Sequence, residues 1–148
     1  MLSQTAEYAL RAVLHLAEHG GEGPVRADAI ARGLGIPANY LAKTLQTLVR
    51  SRVLASTRGP HGGFRLARRA DAISLYDIVA PYGELDARNR CLLGRPECSD
   101  RNPCAVHDAW KQTSEQLTRF FRTTMVADVA DVPTTAVTRS PSPRRRTA

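Results

Sequence analysis

The three cysteines of this chain lie close together, and a histidine follows them. Cys91, Cys98 and Cys104 fall within 14 residues, and His107 comes three residues after the last cysteine. Thiolates and imidazoles bind transition metals and iron–sulfur clusters. Glycine, proline, serine and asparagine residues interrupt the same stretch, which indicates a loop that can fold its thiols around an ion or a cluster. The spacing therefore predicts a metal centre.

Two alternatives involve no metal. Single cysteines are most often inert buried thiols, but three in one polar loop fit that state poorly. A disulfide with one cysteine left over would need an oxidising compartment. Glu7 and Arg11 interrupt the apolar residues near the N-terminus, so we expect no secretory leader and a cytoplasmic location. In the cytoplasm, a disulfide between two of these cysteines would act as a redox switch.

The positive charge of the chain is concentrated in one segment. Residues 29–70 contain eight basic and no acidic residues, whereas the rest of the chain holds 13 of the 21 basic residues and all 14 acidic ones. A basic run is often only a solvated face, but an acid-free basic segment is also what phosphate binding requires. The distribution favours a nucleic-acid partner for this segment.

Hydrophobic spacing predicts three helices in the first 50 residues, the last two of them joined by a turn. A first helix is predicted over residues 3–18, a second over 26–32 and a third over 38–50, with a Gly-containing turn at 33–37 between the last two. Two short helices joined in this way form a helix-turn-helix, whose second helix enters the major groove. The predicted DNA-contacting residues of that helix are Asn39, Tyr40, Lys43, Gln46 and Arg50.

A β-hairpin is predicted directly after the recognition helix. Residues 53–57 and 63–66 are typical of two short strands, and the Gly-rich residues 58–62 form the tip between them. A hairpin in this position is a wing. Arg58 and His61 at its tip are predicted to contact DNA, where an arginine suits a narrow minor groove or a phosphate.

The remaining elements complete a mainly helical fold with one small β-hairpin. A short helix over residues 74–80 closes a winged helix-turn-helix domain at 1–82, and the cysteine loop follows at 83–104. Apolar residues at spacings of three and four predict a long amphipathic helix at 105–127, interpreted as a dimerisation helix because few other elements could cover it. Residues 128–148 are predicted to form a disordered basic tail. No apolar run is long enough to span a membrane.

These motifs together resemble a known family. The sequence of residues 1–127 is similar to the bacterial winged-helix iron–sulfur regulators typified by IscR and NsrR, the Rrf2 family. The resemblance rests on residues 7–12, 35–41, 58–66 and 73–79 and on the three cysteines. It implies a homodimer on a palindromic DNA operator, with an iron–sulfur cluster, commonly 2Fe–2S, on Cys91, Cys98 and Cys104. Cluster state would then control operator affinity, most often for repression, in response to redox stress, nitric oxide or iron–sulfur status.

The resemblance leaves the fourth cluster ligand open between two residues. In the IscR-like pattern a histidine three residues after the last cysteine is the ligand, and His107 has that position. In the NsrR-like pattern a carboxylate from the first helix of the other subunit is the ligand, and Glu7 has that position. The close match over residues 7–12 slightly favours Glu7.

Departures from the family pattern concern the signal and the operator. Six residues separate Cys91 from Cys98 where five are common, and His61 replaces a glycine often found in the wing tip. Lys43 stands where IscR-like proteins carry a glutamine.

Two other interpretations keep a DNA-binding regulator without an iron–sulfur cluster. One is structural zinc on Cys91, Cys98, Cys104 and His107, and the other is a metal-free thiol switch. No nucleophile elbow, phosphate loop or catalytic carboxylate pair indicates an enzyme.

Overall fold

The computed structural model describes residues 2–19, 23–83, 85 and 90–130 of the 148-residue chain. In order, the described elements are α1 (Gln4–Glu18), α2 (Ala27–Leu34), α3 (Ala38–Arg50), β1 (Leu54–Thr57), β2 (Gly63–Leu66), α4 (Leu75–Val79), α5 (His107–Thr123) and α6 (Val126–Val129). Single 3-10 turns lie at Ala70–Ala72 and Ala80–Tyr82. The disordered tail was predicted over residues 128–148, but residues 128 and 129 belong to α6; residues 131–148 lie outside the described residues.

Helix α1 forms the centre of the hydrophobic core. Ser3 caps its N-terminus by accepting a hydrogen bond from the backbone N–H of Ala6 at 3.2 Å, which satisfies one of the amides that a helix start leaves unpaired. Ala9, Val13 and Leu16 are buried on its inner face, at the spacing of an amphipathic helix. The helix packs against α2, α3, α4 and α6, so it connects the helix-turn-helix to the last described helix.

Helices α2 and α3 form the predicted helix-turn-helix, with one correction. The helix predicted over residues 26–32 extends to Leu34, so Gly33 is helical and the turn begins at Gly35. Gly35 has a left-handed backbone with φ +64°, which a glycine adopts without steric cost. A glycine suits position 33 because a Cβ there would lie 3.1 Å from the imidazole of His15 on α1 and would crowd it.

The wing is confirmed as an antiparallel pair, and it has an additional partner. Leu54 pairs with Leu66 and Thr57 with Gly63, which leaves residues 58–62 as the tip. Val25 forms a bridge with Phe64 through two backbone hydrogen bonds of 2.9 and 2.8 Å. The wing is therefore attached to the segment that precedes α2.

The single helix predicted over residues 105–127 is wrong at both ends. Helix α5 runs from His107 to Thr123, the chain is then extended, and α6 follows. The break arises because the backbone N–H of Leu75 donates to the carbonyl of Thr124 at 2.9 Å and that of Val126 donates to Ile73 at 2.8 Å. These tertiary hydrogen bonds override the apolar periodicity, and α6 docks with Val126 fully buried.

Most of helix α5 is uncovered within the protomer. Ser114 and Phe121 are its buried residues, whereas the ring of Phe120 is 52% exposed. None of the helices in the described part of the chain has the length and hydropathy of a membrane span.

Candidate metal centre and DNA-binding surface

The structure brings the three cysteine thiols together. The sulfur atoms of Cys91, Cys98 and Cys104 all lie within 4.8 Å of one another, and the sulfurs of Cys91 and Cys104 are 3.8 Å apart. All three side chains are partly buried, and none of them forms a disulfide. The loop that carries them folds back through a bridge between Ser99 and Asn102, which places Cys98 and Cys104 on either side of a tight turn.

His107 joins this group from the first turn of α5. Its Nδ1 atom lies 3.1 Å from the sulfur of Cys98, and its Nε2 atom lies 2.9 Å from a carboxylate oxygen of Asp100. Lys111, one turn further along α5, donates to both carboxylate oxygens of Asp100 at 2.9 Å. A carboxylate on one imidazole nitrogen orients the ring and leaves the other nitrogen as a metal ligand.

The proximity of the thiols changes their acidity. The backbone N–H of Arg95 hydrogen-bonds to Cys91 and lowers the pKa of that thiol to about 7. At Cys98 the backbone N–H of Cys104 favours the thiolate, but burial and the neighbouring cysteines outweigh it, so the pKa of Cys98 is raised. Adjacent thiolates repel one another, and a metal cation among them would remove that repulsion.

The surroundings of Asp100 hold it in the charged state. Its hydrogen bond with His107, followed by the hydrogen bond and positive charge of Lys111, lowers the pKa of the Asp100 carboxyl. Asp100 in turn raises the pKa of Lys111. The carboxylate is therefore available to bind the imidazole.

The donor set fits a metal centre by its chemistry and its spacing. Two sulfurs bound to one tetrahedral metal ion at about 2.3 Å would lie about 3.8 Å apart, the separation found between Cys91 and Cys104. This spacing suits iron in a cluster and zinc equally. A cavity of about 350 Å³ beside the thiols is lined by Arg90, Asp100, Trp110 and Lys111 among others, and the indole N–H of Trp110 donates to the carbonyl of Arg90 at 2.8 Å.

Glu7 is not part of this group within the protomer. It lies in the first turn of α1 and is exposed, and its carboxylate is not among the ligand atoms gathered around the cysteine sulfurs. Its expected role as a ligand across a dimer therefore depends on a second subunit.

The predicted DNA-contacting residues form two exposed sets. Asn39, Lys43, Gln46 and Arg50 recur along α3 at helical spacing and are exposed, while its buried side holds Leu41, Leu45 and Leu48. Arg58 and His61 are exposed at the wing tip. An open groove between the wing and the starts of α2 and α3 is lined by Arg26, Ala38, Thr57 and Gly59 among others.

Tyr40 differs from the other residues predicted on this surface. Its hydroxyl bonds to the hydroxyl of Thr5 at 2.5 Å, and its ring stacks edge-on against Tyr8 with centroids 5.7 Å apart. The side chain therefore links α3 to α1, although it remains 41% exposed. Its contact with DNA stays a prediction.

Comparison with known proteins identifies the family. The family model described as "Rrf2: Iron-dependent Transcriptional regulator" matches residues 2–132. The chain belongs to the Rrf2 family. It is 35% identical to an HTH-type transcriptional regulator of Aquifex aeolicus over 89% of this chain and 92% of that protein. It is 31% identical to the HTH-type transcriptional regulator IscR of Yersinia pseudotuberculosis over 88% of this chain and 79% of that protein.

The solved structures agree on the fold. CymR of B. subtilis, the global cysteine regulator of that organism, superposes with a TM-score of 0.72 at 25% identity, covering 88% of this chain and 95% of that one. The predicted winged-helix architecture of this Rrf2 protein is therefore confirmed. Its relatives are transcriptional regulators rather than enzymes, and the protein is a transcriptional regulator of the same DNA-binding family.

Sequence reasoning missed two residues of the site in this Rrf2 protein. They are Asp100, which hydrogen-bonds to His107, and Lys111, which donates to Asp100. One signal was available for Asp100, because a carboxylate two residues after a cysteine lies in the same loop as the thiols and metal-binding histidines usually pair with a carboxylate. Lys111 gave no such signal, since lysine is common on helix surfaces.

Proposed function

We propose that this Rrf2 regulator is a cytoplasmic homodimeric repressor whose affinity for a palindromic operator is controlled by an iron–sulfur cluster, most simply 2Fe–2S. The observation that carries the proposal is the gathering of the sulfurs of Cys91, Cys98 and Cys104 within 4.8 Å in a loop between the winged helix and α5. Thiolates are the ligands of such clusters, and the name of one relative, IscR, and the family description as iron-dependent point the same way. Oxidants, nitric oxide or iron shortage would be the signals, because each attacks or depletes a thiolate-held cluster.

We further propose His107 as the fourth ligand, with Glu7 of the other subunit as the alternative. The support for His107 is local, since Nδ1 already faces Cys98 at 3.1 Å while Asp100 holds Nε2. Glu7 keeps the support of the sequence resemblance and requires the dimer. When bound, the cluster would supply a redox-sensitive and removable link among these side chains.

The dimer interface proposed here is the uncovered face of α5. Phe120 is 52% exposed although it is a large aromatic residue, and exposed apolar helix faces mark association surfaces. A twofold dimer through α5 would present two α3 helices to a palindromic site.

The proposed coupling from the cluster to DNA runs through both ends of the cysteine loop. On the near side, Tyr82 at the exit of the winged helix hydrogen-bonds to α3. On the far side, Trp110 and His107 attach the loop to α5. Loss of the cluster would release the loop and change the spacing of the two recognition helices.

The test begins with anaerobic purification of the full-length protein, its visible spectrum, and analysis of iron, acid-labile sulfide and zinc. A red-brown protein with iron and sulfide supports the cluster. Cys98→Ala is then expected to lose the cluster and change operator affinity together. Equal operator affinity for cluster-loaded and cluster-free protein would reject the coupling. His107→Ala and Glu7→Ala serve as controls for each other, because the variant that removes the true ligand alters the visible spectrum.

Zinc and a thiol switch are the remaining candidates, and the same experiment separates them. A colourless protein with one zinc per chain would replace the cluster with a structural metal, which the 3.8 Å sulfur separation also fits. A metal-free protein that cannot be reconstituted would favour thiol switching through the same cysteines.

A further inference from the structure

We propose that His15, Glu18 and His19 form a second metal site, for a divalent transition-metal ion such as Zn²⁺, at the C-terminal end of α1. One ligand atom from each of these three side chains lies within 4.8 Å of the other two. The site contains no thiol and lies on a different element from the cysteine loop, so the inference is independent of the proposed cluster.

The spacing of the three residues places them on one face of the helix. Residues at i, i+3 and i+4 of an α-helix are neighbours on its surface. The two imidazole rings accordingly lie with centroids 4.3 Å apart and planes inclined by 34°. Two histidines one turn apart can thus bind the same ion without any change in the backbone.

The ring of His19 is already fixed by a hydrogen bond to backbone. Its Nδ1 atom lies 2.7 Å from the carbonyl oxygen of His15. With Nδ1 donating its proton to that carbonyl, the lone pair is on Nε2, and this is the usual tautomer of a metal-binding histidine. This hydrogen bond therefore leaves Nε2 of His19 able to bind a metal ion.

The ring of His15 is held by the contact between α1 and α2. It is half-buried, and a side chain at Gly33 of α2 would come within 3.1 Å of its Cε1 atom and 3.6 Å of its Nε2 atom. Glycine at position 33 thus leaves the space that the imidazole occupies. A metal ion on His15 would lie beside the first helix of the helix-turn-helix.

The chemistry of the three ligands selects the class of ion. Two imidazoles and one carboxylate form the three-ligand set of many zinc sites, in which water completes the coordination. Imidazole and carboxylate donors also accept Ni²⁺, Co²⁺ and Cu²⁺, with affinity following the usual order for divalent ions. Glu18 and His19 are exposed, so the ion can enter from solvent.

The experiment is a Zn²⁺ titration followed by imidazole ¹H–¹⁵N NMR on the full-length protein. The chain has four histidines, and each reports on a different place. His15 and His19 are expected to shift together, and His61 on the wing is expected to stay unchanged. His107 reports separately on the cysteine loop, so a failure of the cluster proposal and a failure of this one give different spectra.

Variants decide whether the three residues act as one site. His19→Gln and Glu18→Gln are expected to weaken Zn²⁺ binding at His15 by about tenfold or more, whereas Asp28→Asn, an exposed carboxylate on α2, is expected to leave it unchanged. Zn²⁺ is also expected to raise the Tm of the Cys98→Ser protein, and His19→Gln is expected to remove that rise. Unshifted His15 and His19 signals at saturating Zn²⁺, or equal binding by the glutamine variants, would overturn the proposal.

Discussion

The hydroxyl of Tyr82 donates a hydrogen bond to the backbone carbonyl of Thr44 at 3.1 Å. Thr44 is buried in the middle of α3, and Tyr82 lies in the turn that leaves the winged helix toward the cysteine loop. The bond is thus a direct link between the recognition helix and the chain that leads to the proposed metal centre.

Tyr82→Phe is expected to cost about 1 kcal/mol in the free energy of unfolding, the usual net value of one hydrogen bond. The larger expected effect is on the coupling between the proposed cluster and DNA binding. The phenyl ring keeps the packing of Tyr82 but cannot donate a hydrogen bond to the carbonyl of Thr44. The difference in operator affinity between cluster-loaded and cluster-free protein should shrink. Fluorescence anisotropy with operator DNA measures that difference, and an unchanged difference would argue against this link.

The stability contributed by Tyr82 should depend on alkaline pH. Burial raises the pKa of Tyr82 from 10.0 to about 12, so the folded state favours the protonated hydroxyl more than the unfolded state does. The contribution is complete below pH 10 and is lost as the pH rises toward about 12. Urea unfolding of the wild type and Tyr82→Phe should therefore show a stability difference that narrows over this range. A constant difference would contradict the assignment.

Phe120 and Phe121 are neighbours with opposite expected roles. Their rings meet edge-on with centroids 5.6 Å apart, but Phe121 is 4% exposed and Phe120 is 52% exposed. Phe121→Ala should destabilise the protomer by about 3–5 kcal/mol, whereas Phe120→Ala should leave the unfolding of the protomer nearly unchanged and weaken the proposed dimer. Sedimentation equilibrium and denaturant unfolding separate the two effects. A fully dimeric Phe120→Ala protein would place the interface elsewhere.

Gly63 is expected to be indispensable to the wing. Its φ is +155°, and a Cβ there would lie 2.5 Å from the backbone carbonyl of Val25, so Gly63→Ala should break the bridge between Val25 and Phe64. Gly59→Ala is the control, because Gly59 also has a positive φ of +105° but no neighbour within 4 Å of its Cβ. Hydrogen exchange at the amides of Val25 and Phe64 should quicken in the first variant far more than in the second.

Arg58 is expected to contact a phosphate or the minor groove. Arg58→Ala should weaken operator binding and reduce the slope of log K against log salt concentration by about 1. Arg69→Ala is the matched control, because Arg69 lies in the same basic segment but pairs with Asp71 at 2.8 Å. Equal salt slopes for Arg58→Ala and the wild type would exclude a phosphate contact at this position.

The sequence was sufficient where local patterns agree with the tertiary fold. The N-terminal helix was predicted over 3–18 and is found at Gln4–Glu18, and the third helix was predicted over 38–50 and is found at Ala38–Arg50. Each of these two helices has a single apolar face, so few other secondary structures fit its sequence. The wing was predictable because glycines punctuate two short β-prone runs.

The features that the sequence did not predict share a physical cause, because each depends on a contact with a residue distant in sequence. The break at Thr124 comes from hydrogen bonds to Ile73 and Leu75. At Gly33, a built Cβ would lie 3.1 Å from the imidazole of His15 on another helix, a contact that the local sequence does not show. At the candidate metal centre the cysteines could be identified from their spacing, and Asp100 could have been suggested by its place two residues after Cys98. Its contact with His107 could not be predicted, because that contact depends on the path of the loop.

The pairing of Thr124–Met125 with Ser74–Leu75 has a mechanical consequence for α5. Seventeen residues make a rod of about 25 Å, and this pairing fixes one end of the rod to the DNA-binding body as a pivot. His107 is at the opposite end. We therefore expect that a displacement of the loop at His107 would be transmitted along the whole length of α5 and would reach the winged helix as a rotation.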